Sequence, residues 1–128
     1  MTQCNLFAMP VRHPRTTSCE AAIRKAIRQR KSLSAIYGNY VRYFTPHVLG
    51  RDRRNRLVVL VYQFAGGFDG GLPSDGAWSC FDVSDLSQVR YLHDHWVSGP
   101  DETRPRDIFS SVMLAAPNPA ARPTLPFG

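Results

Sequence analysis

The chain has 128 residues, 43% of them apolar, and its 16 Lys plus Arg against 10 Asp plus Glu give a net charge of +6. That length builds one compact core and hardly two, and no run of about 18 apolar residues is present to span a bilayer. Met1 to Arg15 lack the charged start, long apolar run and small-residue cleavage site of a secretory leader. Cys4, Cys19 and Cys80 are odd in number, scattered and without C-x-x-C spacing. A soluble, cytoplasmic protein with reduced thiols and no membrane partner is expected.

In chain order, residues 1–17 read as an N-terminal extension. Thr17-x-x-Glu20 has the form of a capping box, and behind it Ala22, Ile23, Ala26 and Ile27 recur at helical spacing. A helix from about Ser18 to Lys31 is predicted, with Arg24, Lys25, Arg28 and Gln29 on its wet face. No second helical pattern follows closely, which argues against a helix-turn-helix. After Lys31 the period changes to two, with Leu33, Ala35 and Tyr37 on one face of a strand, and Gly38-Asn39 supplies a two-residue hairpin turn. The return strand, Tyr40 to Pro46, sets Arg42 among aromatic residues, where it either covers the rings with its stem and cation face or holds an anion beside them.

A polar turn from Gly50 to Asn55 leads to Leu57 through Phe64, apolar on both faces and rich in β-branched residues, as a covered central strand must be. Ala65 to Gly76 carries five glycines and Pro73 and reads as a long hairpin connection. It has neither phosphate-loop spacing nor a following helix to present a dipole. Ala77 to Val83 is the next strand and Gln88 to His93 the last, so the barrel is expected to close. From Ser98 onward prolines punctuate a C-terminal extension in which Asp107 to Ala116 is compatible with a short helix, and beyond Pro117 an extended tail is expected. The fold class that follows is mainly β with a leading α-helix, a small SH3-like or Sm-like β-barrel over residues 18–97, because no helix sits between strands to make a parallel crossover.

The helix ending near Lys31, Tyr37 on the first strand, Arg42 and Pro46 with Leu49 on the second, Tyr62 on the third and Phe81 on the fourth are similar to the order of residues in the WYL domain. The resemblance covers a little over half of the chain. It departs where the naming Trp-Tyr-Leu triplet falls on Leu57-Val58-Val59, and where an arginine of the closing motif falls near Asp85. It implies a regulatory sensing module for nucleic acids or nucleotide-like ligands, here free of the DNA-binding region usually fused to it.

The clustered arginines, Arg24, Arg28 and Arg30 on the helix and Arg51, Arg53, Arg54 and Arg56 in one turn, permit an anionic partner and equally describe a solvated helix face and a polar turn. Candidate ligand contacts are Arg42, His47 and Arg51, Arg53, Arg54 and Arg56 for charge, with Tyr37, Tyr43 and Trp78 as stacking faces. No serine-nucleophile elbow or paired-carboxylate spacing indicates an enzyme, and no cofactor motif is present. Cys19 at the helix start reads as a packed or exposed thiol, or as one of lowered pKa. His93-Asp94-His95 is the one metal-like cluster and lacks a third ligand, so no metal is expected. Two readings remain: a non-enzymatic module for a nucleotide-like molecule or single-stranded nucleic acid, and a protein-interaction subunit or homodimer using the barrel and its tail.

Overall fold

A computed structural model describes residues 14–93 and 96–117. Helix α1 (Pro14–Gln29) precedes six strands: β1 (Leu33–Tyr37), β2 (Tyr40–Arg51), β3 (Leu57–Gly66), β4 (Ala77–Asp82), β5 (Ser87–Tyr91) and β6 (Ser111–Ala115). All ladders are antiparallel, in the order β4-β3-β2-β1-β5, with β6 placed beside β2. A single 3-10 turn, Val83–Asp85, joins β4 to β5. Among the described residues no ladder joins β4 to β5, so hydrogen bonds do not close the sheet into a ring. No helix among the described residues is long and apolar enough to cross a membrane.

The helix begins four residues before the predicted Ser18. Pro14 is its first residue, a position where a missing N–H is no loss, so Thr17 lies inside the helix and is not its N-cap. Glu20 turns to Arg24 instead, at 2.8 Å. The helix ends through the backbone: Lys31 N–H donates to Ala26 O at 2.9 Å, Arg30 N–H reaches Ile27 O at 3.4 Å, and Arg30 takes a φ of 55°. This closure is usually left to glycine. Cys19, Ile23, Ala26 and Ile27 form the fully buried face, which packs on β2, β5 and the 3-10 turn. Burying each isoleucine stabilises the fold by roughly 1.5–3 kcal/mol. Cys19 is disulfide-bonded, so the expectation of reduced thiols fails there. Its sulfur touches Leu86 O at 3.7 Å as a contact, since a disulfide sulfur carries no proton.

Gly38 and Asn39 make the β1–β2 turn with φ of 60° and 69°, the left-handed pair that suits the twist of a hairpin. Strand β2 runs five residues past the predicted Pro46. Its register with β3 shifts between Pro46 and Val48, a bulge that accommodates a residue without an N–H. The first half of β2 pairs with β1 and the second half with β6. Core-facing Val59, Val61, Phe44, Phe81 and Leu33 fill the space between the curved sheet and α1.

The predicted helix over 107–116 is a strand. Residues 111–115 find the edge that β2 leaves free beyond β1, pairing Leu49 with Leu114 and Gly50 with Val112. Ladder hydrogen bonds to an existing strand outweigh a weak helical period in a short segment. Ser110 N–H anchors its start on Arg51 O at 2.8 Å and Ala116 N–H its end on His47 O at 2.8 Å. Beyond residue 97, β6 pairs with β2 and Ala116 belongs to the core.

Close approach of β6 requires Gly50. A Cβ there would collide with Ser111 O and stand 2.8 Å from the Phe109 ring. Gly50→Ala is therefore expected to lose about 1–3 kcal/mol in urea unfolding and to make the 104–110 segment more sensitive to limited proteolysis. Wild-type stability in that variant contradicts the docking described.

Candidate ligand site

Arg42 sits on β2 between Ala35 of β1 and Gly66 of β3. Strand alternation turns it inward together with Phe44, and it is 8% exposed. Its Nε donates to Tyr37 O at 3.1 Å and its Nη1 to Gln63 Oε1 at 3.2 Å. The fully buried Gln63 donates its amide to Ala65 O at 2.9 Å and Gly67 O at 2.8 Å, which points Oε1 at the guanidinium. The rings of Tyr40, Phe81, Tyr37 and Phe68 surround the guanidinium carbon, with centroids at 5.1, 5.4, 5.5 and 6.0 Å.

Two of the five guanidinium N–H groups are thus used on neutral oxygens. Among the described residues no carboxylate makes an ion pair with Arg42. Nη2 lies against the β1–β2 turn, where a Cβ on Gly38 would stand 3.4 Å away. Outside that turn is an open depression of about 540 Å³ lined by Ile36, Tyr37, Gly38, Asn39, Asp85 and Ser87. Tyr37 links the two: its ring stacks on Phe81 at 4.3 Å, and its hydroxyl accepts Asp82 N–H at 3.1 Å.

The other expected contacts are elsewhere. Tyr43 lies on the opposite face of β2 from Arg42. His47 and Trp78 share a cluster with Trp96, their rings at 4.8 Å from His47 in each case, while Tyr62 meets Trp78 at 5.2 Å. Strand alternation puts Tyr62 on the face of β3 away from Gln63, so this cluster and Arg42 are on opposite sides of the sheet. Arg51, Arg53 and Arg56 are engaged within their own turn and its neighbour: Arg51 with Asn55 O at 3.2 Å, Arg53 with Asp107 O at 3.2 Å, Arg56 with Asp52 at 2.9 Å. Hydrogen bonds from the Arg56 backbone, then its side chain, hold the Asp52 carboxyl below its ordinary value. Arg54 presents its side chain to solvent.

Sequence reasoning missed Gln63 and Phe68 around Arg42. A lone polar residue in the apolar run Leu57 to Phe64 was the available signal for Gln63, since buried polar groups keep partners. It also missed Trp96, Arg30 and Arg104 beside His47, for which no local signal exists. Cys80 has its thiol pushed up to about 11, by desolvation first and then by Asp52, so it is protonated at neutral pH. His93 is exposed, Asp94 and His95 lie outside the described residues, and among the described residues no group of three His, Cys, Asp or Glu gathers. No protein family, curated protein or solved structure matches the chain.

Burial lowers the His47 pKa from 6.5 to about 4, opposed by its hydrogen bond to Thr45 O and aided by Arg104 and Arg30. Below pH 6.5 the unfolded chain takes a proton on this imidazole and the native protein does not. Stability is therefore unaffected by His47 above that pH and falls by on the order of 3 kcal/mol as pH drops towards 4. His47→Gln is expected to flatten this part of the profile of urea midpoints between pH 7.5 and 4.5. Equal slopes for the two proteins contradict the assignment.

Proposed function

We propose that the chain is a non-enzymatic, WYL-like small-barrel module that binds an anionic ligand, a nucleotide-like molecule or single-stranded nucleic acid, in a regulatory role. The observation that carries this reading is Arg42, a cation 8% exposed with no carboxylate partner among the described residues. A charge removed from water costs several kcal/mol unless it is compensated. The four rings around it offset part of that cost, and an anion at the Gly38–Asn39 rim would offset more. Tyr37 lines the depression, and its ring stacks on Phe81 at 4.3 Å with the Arg42 guanidinium 5.5 Å from its centroid.

The SH3-like or Sm-like description belongs to the same proposal. Its support is the strand order β4-β3-β2-β1-β5 behind a leading helix, with a 3-10 turn between β4 and β5. Asp85 in the depression stands near the place where the resemblance calls for an arginine, and it repels an anion. The Arg51 to Arg56 turn contributes less than its composition suggests, because three of its four guanidiniums bond within the protein.

The interaction-subunit reading has one observation of its own. On β6, Val112 is 58% and Met113 38% exposed, beside an edge that pairs with nothing further among the described residues.

Anisotropy titration of a labelled single-stranded oligonucleotide and of a mononucleotide at low salt tests the first reading. Binding is expected to weaken steeply with ionic strength and to be lost in Arg42→Gln, with folding checked by circular dichroism. Asp85→Asn, at an exposed position, is expected to tighten binding by about fivefold. Absence of binding to either ligand at low salt, or indifference to both substitutions, removes the proposal.

A further inference from the structure

On the other side of the sheet His47 is 5% exposed, yet only one of its nitrogens is engaged. Nδ1 lies 3.0 Å from Thr45 O, which assigns the proton to Nδ1 and leaves Nε2 an acceptor. Among the described residues no donor meets Nε2. The imidazole is wedged between Trp78 of β4 and Trp96, and each tryptophan carries an arginine over its face: Arg104 at 5.3 Å from the Trp78 ring and Arg30 at 5.9 Å from the Trp96 ring. Arg30 spends one N–H on Pro117 O at 2.8 Å. Arg104 N–H donates to Asp101 O at 3.1 Å while its guanidinium makes no hydrogen bond among the described residues, and the nearby Asp101 carboxylate is taken by Arg106 at 3.1 Å. Both guanidiniums act electrostatically on the imidazole.

We propose that His47, Arg30 and Arg104 form a second ligand site, separate from the Arg42 depression, for a protonated phosphate group. Two guanidiniums call for an anion. An acceptor-only nitrogen calls for a donor, and repels the lone pairs of a bare oxyanion. A head group that offers both at neutral pH is a phosphate carrying P–OH beside P–O⁻. Sulfate and carboxylate have no proton to give at that pH. No buried side-chain nitrogen among the described residues lacks a partner, so the unbonded Nε2 is open to solvent, and the Trp78 Nε1–H is already committed to Pro100 O at 2.9 Å, so the discrimination falls to His47. The binding is non-covalent.

The test is calorimetric titration of the full chain with inorganic phosphate, sulfate and glycerol phosphate. Phosphate is expected to bind at pH 7 at least about tenfold more tightly than sulfate, the consequence of one unmade hydrogen bond facing an acceptor. Inorganic phosphate keeps one P–OH at pH 8 and should still bind. A phosphomonoester loses its last P–OH above about pH 6, so glycerol phosphate is expected to fade between pH 6 and 8. Arg104→Gln, on a solvent-facing segment, is expected to weaken phosphate about tenfold, and His47→Phe to abolish the preference over sulfate. Should His47→Phe fail to fold, the ¹⁵N shift of His47 Nε2 in the wild-type protein reports the same contact, moving with phosphate and not with sulfate. Equal binding of sulfate, no phosphate binding at millimolar concentration, or an unmoved Nε2 shift each overturns the proposal. Arg42→Gln is expected to leave this site intact, so its failure and that of the Arg42 reading are distinguishable.

Discussion

Pro46 brings no N–H to the ladder, so β2 cannot hold one register along its whole length. One of its two shifts against β3 falls between Pro46 and Val48. That bulge divides β2 into a first half that pairs with β1 and a second half that is left an edge for β6. The first half turns Phe44 into the core against α1 and Arg42 among the rings of Tyr37, Tyr40, Phe68 and Phe81. At the break, His47 emerges among Trp78, Trp96 and Tyr62 on the far side. The ladder with β3 shifts a second time between Tyr43 and Phe44, next to Arg42, so each candidate site lies beside an irregularity of β2.

The basic composition is used mostly inside the molecule. Arg56 closes its turn on Asp52, Arg53 reaches the backbone before β6, Arg24 pairs with Glu20, and Arg30 ties the helix terminus to Pro117. The two exposed ion pairs among these are worth little to stability, and the carbonyl contacts of Arg53 and Arg30 leave those charges unneutralised. Among the described residues Arg28, Lys31, Arg54 and Arg90 stay exposed without an ion pair, beside Arg42 behind its rings and Arg104 and Arg30 on the tryptophans.

Periodicity made much of the frame legible. Ile23, Ala26 and Ile27 mark the buried helix face, Gly38-Asn39 marks a left-handed turn, and the apolar run from Leu57 marks the covered strand, because each signal is local and each is enforced by the core. The helix start was misread because Thr17 offers a cap that Pro14 makes unnecessary. Residues 107–116 were misread for a different reason: Val112 and Leu114 suit either period, and the decision belongs to an edge on β2 that lies some sixty residues earlier in the chain.

The candidate sites divide along the same line. Arg42 flanked by Tyr40, Tyr43 and Phe44 is visible in the chain, as is the uncommon glutamine in β3, but which of these rings face the guanidinium is a matter of strand alternation and ladder register. His47, Trp78, Trp96, Arg30 and Arg104 come from four separate segments and share no spacing. By itself the sequence determined a single helix-led, mainly β unit with charge concentrated on arginine. The tertiary structure alone decided which arginines keep that charge free, because desolvation and pairing depend on neighbours that only folding brings together.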